Sequence, residues 1–219
     1  MNIRPIIFGA TGMVGEGVLH VSLNDERVES LLVVGRRSCG VGHPKLSEVV
    51  HNDFFDYSSI SNKLKGYNAC FFCAGVTSIG KKEVEYRKLT YDLTLAIALA
   101  LAQLNSDMTF CYVSGAGTDS TEQGSQMWAR VKGKTENDLM KLPFKAVYAF
   151  RPGFIKPIAG LKNTLAFAKL GVPLYPLLKA VAGKYVCTLE EVGRSMLHVA
   201  AHGYGKKILE CVDISAVGK

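Results

Sequence analysis

Gly9-Ala10-Thr11-Gly12-Met13-Val14-Gly15 has the composition and spacing of a loop that receives phosphate. Glycines at three-residue intervals permit a tight turn and let backbone amides approach a ligand closely. A helix opening at this point places roughly half a positive charge beside that ligand. The pattern is G-x-x-G-x-x-G rather than the stricter G-x-G-x-x-G, but the physics of a dinucleotide pyrophosphate site is shared. The plain alternative is a glycine-rich turn with no ligand.

A second chemical group follows the next apolar run, at Gly35-Arg36-Arg37-Ser38. An acid at this position would take the adenosine ribose hydroxyls of NAD, whereas two guanidinium groups suit the 2′-phosphate of NADP. The expected cofactor is therefore NADP(H) in preference to NAD(H). Farther on, Asp53-Phe54 is placed to flank the adenine, with the carboxylate taking its amino proton; a plain loop is the alternative there.

Alternating elements must position these groups. Ile3 to Phe8 is a short apolar run that suits a buried parallel strand, and Leu31 to Val34, Leu46 to Val50, Ala69 to Cys73, Thr109 to Val113 and Lys145 to Phe150 repeat the theme. Helical spacing follows the glycine loop and returns over residues 81–104 and 126–141. This βαβα order predicts an α/β Rossmann-type fold, a doubly wound parallel sheet with helices on both faces and right-handed crossovers. Ligands of such sheets bind at the carboxyl ends of the strands. The glycine loop, Gly35-Arg36-Arg37, Ala74-Gly75-Val76-Thr77, Ser114 and Arg151-Pro152-Gly153 all sit at those ends. Residues 1–155 are read as the nucleotide-binding domain and 156–219 as a small segment of the same domain on the substrate side. That segment holds an apolar stretch over 158–183 broken by Gly160, Gly171, Pro173 and Pro176. A helix capped by Thr188 and ending near His202-Gly203 follows, then a late strand from Lys207 to Cys211.

Composition narrows the function classes. A chain of 219 residues, 48% hydrophobic and 21% charged, fits one domain that needs no disulfides. Lys and Arg number 26 against 19 Asp and Glu, giving a net charge of +7, yet the cations are scattered. That pattern argues for a basic surface and phosphate ligands rather than nucleic acid. No apolar run reaches the length of a membrane span, and no secretory lead precedes the first strand. The cytoplasm is the default expectation, with a small-molecule substrate and a monomer or homodimer. Cys70-x-x-Cys73 has metal-ligand spacing, but no second pair accompanies it and residues three apart on a strand face opposite ways. No metal is expected.

Together these residues resemble the short-chain dehydrogenase/reductase superfamily, above all its atypical and extended members: epimerase/dehydratase-like, NmrA-like and Tat-interacting-protein-like proteins. The resemblance covers residues 3–155 well and the remainder loosely. It implies a bound nicotinamide cofactor held by Gly9, Thr11, Gly12, Met13, Val14, Gly15, Arg36, Arg37, Asp53, Phe54, Ala74, Gly75, Val76, Lys132, Arg151 and Pro152. In active members it implies hydride transfer, with a Ser or Thr, a Tyr and a Lys cooperating. Lys132 matches the lysine, which holds the nicotinamide ribose. Trp128 stands at the tyrosine position, one helical turn earlier. An indole N–H donates a hydrogen bond but does not titrate near neutral pH, so it cannot replace tyrosine as general acid–base. Ser114 is the first choice for the hydroxyl, with Thr118 and Ser120 as alternatives. Tyr175, Tyr185 or water are the alternative proton donors. The implied function is an oxidoreductase or epimerase acting on a small carbonyl or hydroxyl substrate; the alternative is a non-catalytic NADP(H)-binding sensor or regulator.

Overall fold

The computed structural model describes residues 2–164 and 175–219. The expected breaks at Gly171 and Pro173 lie outside the described residues. A seven-stranded sheet forms the centre. Its strands are β1 (Pro5–Phe8), β2 (Leu31–Gly35), β3 (Leu46–Val50), β4 (Ala69–Phe72), β5 (Thr109–Val113), β6 (Ala146–Arg151) and, late in the chain, β9 (Ile208–Glu210). Their order is β3-β2-β1-β4-β5-β6-β9, and every neighbouring pair is parallel. A separate parallel pair, β7 (Phe154–Lys156) with β8 (Val186–Thr188), lies outside this sheet.

The apolar runs become strands because both faces are covered. All four residues of β1 and of β4 are buried. On one face Ile7, Phe71, Cys111 and Phe150 pack with Val18 and Leu19 of α1 (Met13–Leu23). On the other, Ile6, Phe8, Phe72 and Phe110 pack with Ile97 and Leu101 of a later helix. Alternate residues thus serve opposite layers, as a pleated strand requires. Cys70 and Cys73 follow the same rule, contributing to opposite layers.

The single helix expected over 81–104 is divided. It comprises α2 (Glu83–Arg87), a widened π-turn over Lys88–Asp92, and α3 (Leu93–Leu104). Tyr86, just before that turn, is buried, and the Tyr91 hydroxyl within it donates to Asp138 at 2.8 Å. Asp138 belongs to α4 (Met127–Leu139).

The C-terminal segment is woven into the domain. After α5 (Tyr175–Ala182), α6 (Leu189–His202) packs on α1. Thr188 caps α6 as expected: its hydroxyl accepts from Glu191 N at 3.1 Å, and the Glu191 carboxylate accepts from Thr188 N at 2.7 Å. Gly203 ends it at φ +74°. The late strand stops at Glu210, and Cys211 instead opens α7 (Cys211–Val217).

Candidate functional site

Strand order reverses on either side of β1, so the crevice of the sheet opens between the carboxyl ends of β1 and β4. Gly9 ends β1 in a left-handed conformation (φ +84°), and a Cβ there would stand 2.6 Å from the Ala74 nitrogen. The loops after β1 and β4 touch at this point, and only glycine allows it. Gly15 is equally constrained, since its Cβ would overlap the Gly9 carbonyl. Gly12 differs. Its nearest neighbour to a Cβ is the Gly9 oxygen at 3.5 Å, and its N–H donates to that same oxygen at 2.9 Å. Gly12 is the N-cap of α1, and no side chain caps the helix. The first amides of α1, around Met13 and Val14, therefore lack intrahelical acceptors at the crevice. Thr11, Met13 and Val14 are half-buried beside it, and Gly12 is exposed.

One residue of this loop region escaped the sequence reading. Glu16, in the first turn of α1, is 7% exposed and accepts from Lys162 N at 2.9 Å and Asn163 N at 2.7 Å. It fastens the start of the C-terminal segment to the helix that follows the glycine loop.

At the far end, Arg36 and Arg37 are exposed, and neither enters an ion pair among the described residues. Asp53 is exposed and one of its oxygens accepts from Phe55 N at 2.9 Å, holding its own turn. The Phe54 ring is half-buried in an aromatic group with Phe8, His51 and Tyr57 at 6.5, 6.3 and 6.2 Å. It forms a wall anchored to the core. Ala74 is half-buried, while Gly75 and Val76 are exposed on the β4 loop.

At the β5 end, the Lys132 ammonium donates to the Ser114 carbonyl and lies 6.0 Å from the centre of the Tyr112 ring. Burial pushes its pKa down to about 8, against a smaller upward pull from Glu136. Trp128 is half-buried one turn earlier, its ring 3.4 Å from where a Gly117 Cβ would stand. The three candidate hydroxyls are all held internally. Ser114 Oγ donates to Phe150 O at 3.1 Å, Thr118 Oγ1 donates to Gly115 O at 2.7 Å, and Ser120 Oγ accepts from Arg151. Tyr175 is half-buried with the Lys156 ammonium 4.8 Å from its ring centre, and burial raises its pKa. Tyr185 is 55% exposed.

Arg151 ends β6 at the cleft edge, but its guanidinium turns inward. It makes a two-pronged ion pair with Glu136, with Nε to Oε1 at 3.0 Å, and Glu136 is almost wholly buried. Such a pair satisfies both charges within the protein, leaving backbone rather than cation at this part of the cleft. Pro152 is buried and its carbonyl accepts from Ala116 N at 2.9 Å, tying the β6 loop to the β5 loop. Glu136 was invisible as a partner in the sequence because only the fold brings it to Arg151. Among the described residues no cluster of three or more His, Cys, Asp or Glu side chains is placed to hold a metal, and all six cysteines are free thiols.

Solved structures share this fold. The UDP-N-acetylglucosamine 4-epimerase of Methanobrevibacter ruminantium M1 superposes with TM-score 0.65 at 14% identity, over 93% of this chain and 74% of that one. The Bordetella bronchiseptica enzyme WbmF, solved with NAD+, gives 0.64 at 17% identity, over 98% and 77%. MoeE5, in complex with UDP-glucose and NAD, gives 0.68 at 14%, over 97% and 80%. The chain has an extended short-chain dehydrogenase/reductase-like fold. No protein-family model matches it. In sequence it is similar to "Protein FMP52, mitochondrial" of Debaryomyces hansenii, 29% identical over 204 residues, 89% of this chain and 86% of the relative. The protein of the same name in Saccharomyces cerevisiae is 25% identical over 228 residues, 96% of each. These names correct the cytoplasmic expectation: the relatives are mitochondrial proteins. That expectation rested on the lack of a secretory lead and of a membrane-length apolar run, and neither bears on import into mitochondria. Among the described residues no helix is long and apolar enough to cross a membrane.

Proposed function

We propose that this chain is a mitochondrial NADP(H)-binding oxidoreductase or epimerase of the extended short-chain dehydrogenase/reductase type, acting on a small carbonyl or hydroxyl substrate. One observation carries the cofactor reading. The glycine loop at the sheet's switch point is sterically fixed at Gly9 and Gly15 yet open at Gly12, where an uncapped helix presents its first amides. Pyrophosphate fits that combination of free donors and positive helix end. Arg36 and Arg37, unpaired among the described residues, suit the additional phosphate of NADP(H). Lys132 would hold the nicotinamide ribose, and the cofactor would supply the hydride. The proton at the substrate oxygen then comes from a group other than residue 128. The second reading, a non-catalytic sensor or regulator, is favoured by the indole at that position.

Trp128 supplies the test. It is the chain's one tryptophan, so NADPH binding over it should quench the protein's fluorescence. Reduction of simple aldehydes and ketones should be slow in the wild type. Trp128→Tyr should keep NADPH binding and raise basal reduction, within the ceiling of about 10²–10⁴-fold that general acid–base catalysis supplies. Brisk wild-type turnover with a pH profile unchanged by the substitution would show that this helical turn has no catalytic meaning. No turnover of any carbonyl or epimerisable substrate, alongside tight NADPH binding, favours the sensor.

Lys132 gives a pH dependence. Its ammonium exists below about pH 8 and is lost above it. The attraction it adds to a bound nucleotide therefore holds below that value and fades as the pH rises through it. NADPH affinity should fall from about pH 7 to about pH 9 in the wild type, and Lys132→Met should abolish that slope. An unfolded lysine keeps its proton to about pH 10.4. Between the two values the unfolded chain binds more protons, so this group's contribution to stability rises with pH. Calorimetric titrations and unfolding midpoints across this range check both signs.

A further inference from the structure

Arg36 and Arg37 open a loop whose next residues are fastened to a carboxylate on the edge strand. Glu48 lies on β3 opposite Val33 of β2. Its Oε2 accepts from Ser38 Oγ at 2.7 Å and its Oε1 from Cys39 N at 2.7 Å. Gly40 N donates in turn to Ser38 Oγ at 3.0 Å. The Cys39 and Val41 side chains pack on the core layer shared with α1. Burial works against the Glu48 charge, but donors from Cys39 and Ser38 outweigh it and hold the carboxyl below its usual range. So the carboxylate fixed beside this loop is committed to the loop's backbone and hydroxyl. It neutralises neither arginine, although both lie within three residues of its partners.

Two opposite effects on a nearby phosphate follow. A bare carboxylate would repel it. A carboxylate that fixes the loop would strengthen its capture, because guanidinium forks act best when preorganised. Each Glu48 oxygen already accepts a hydrogen bond from the loop, and the arginines sit immediately before the fastened residues, so the second effect should win.

We propose that Glu48 is a positioning residue for cofactor specificity: by fastening Ser38 and Cys39 it presents Arg36 and Arg37 to the 2′-phosphate that distinguishes NADP(H) from NAD(H). This rests on the NADP(H) reading above. The test is calorimetric titration of NADPH and NADH into the wild type, Glu48→Ala, Glu48→Gln and the Arg36→Ala/Arg37→Ala double variant. Glu48→Ala should weaken NADPH by about tenfold, as expected for a lost preorganising contact, and leave NADH near wild type. Glu48→Gln should retain the preference. Its amide oxygen still accepts from Cys39 N and its NH2 can donate to Ser38 Oγ, so the fastening survives without the charge. A preference that survives Glu48→Ala, or rises in it, overturns the proposal, as does a Glu48→Gln variant that falls as far as Glu48→Ala. Equal loss of both nucleotides in Glu48→Ala also overturns it, because that marks general loosening of the fold. If the wild type has no preference and the arginine variant changes nothing, the NADP(H) reading itself fails. If the arginine variant loses the preference and Glu48→Ala does not, only the role of Glu48 fails.

Discussion

Gly12→Val should give a folded protein that no longer binds NADPH. The two halves of this result have separate causes. Gly12 has φ −104° and ψ 163°, an extended conformation open to any residue, and a Cβ there meets only the Gly9 oxygen at ordinary contact distance, 3.5 Å. Valine is comfortable in that backbone region, so circular dichroism and Tm should stay near wild type. Its branched side chain, however, would fill the space beside the first amides of α1, where a pyrophosphate must come close. A hydrogen bond to a charged group is worth about 1.5–3 kcal/mol, so losing two weakens binding by about a hundredfold or more. The control is Gly9→Val. There the side chain would meet Ala74 backbone at 2.6 Å in a left-handed conformation, and folding itself should suffer. If Gly12→Val binds NADPH like the wild type, the glycine loop is only a structural turn.

Replacing Arg36 and Arg37 by alanine should remove most of the discrimination between NADPH and NADH. Both side chains are exposed, so their removal leaves packing intact. If one charge-assisted hydrogen bond to the 2′-phosphate is lost, NADPH binding weakens by about 10- to 150-fold. NADH, which lacks that phosphate, should change little. Added salt should weaken NADPH more than NADH in the wild type and by similar amounts in the variant. Titration of both nucleotides at two ionic strengths checks this, and an unchanged ratio in the double variant contradicts it.

Much of the fold could be read from the chain because the central strands are buried on both faces. Ile6-Ile7-Phe8, Leu31 to Val34 and Ala69 to Phe72 have no polar alternation to confuse them, and each stops at or near a glycine or alanine. Their ends then locate the crevice, since in a parallel sheet all carboxyl ends share one edge. The cofactor side of the site could be proposed from sequence because Gly9 to Gly15 and Arg36-Arg37 are short contiguous motifs at those strand ends. What escaped was long-range. Glu136 reads as one polar residue on an amphipathic helix until β6 brings Arg151 beside it. Glu16 reads as an ordinary first-turn acid until amides 146 and 147 residues away reach it. The π-turn over Lys88–Asp92 escaped because one additional residue barely disturbs the apolar periodicity of residues 81–104. The helix opening at Cys211 escaped because seven residues offer too little pattern to separate it from the strand before it. The hydroxyl choice stayed open for a different reason. Ser114, Thr118 and Ser120 differ in which neighbour holds them, and only the packed loops reveal that each is already engaged.

The most direct measurement is a calorimetric titration of NADPH and, separately, NADH into the purified full chain at low ionic strength. Saturable one-site binding of NADPH, tighter than NADH by at least about tenfold, is the predicted result. Saturable binding of neither nucleotide, or NADH as tight as NADPH, would contradict it.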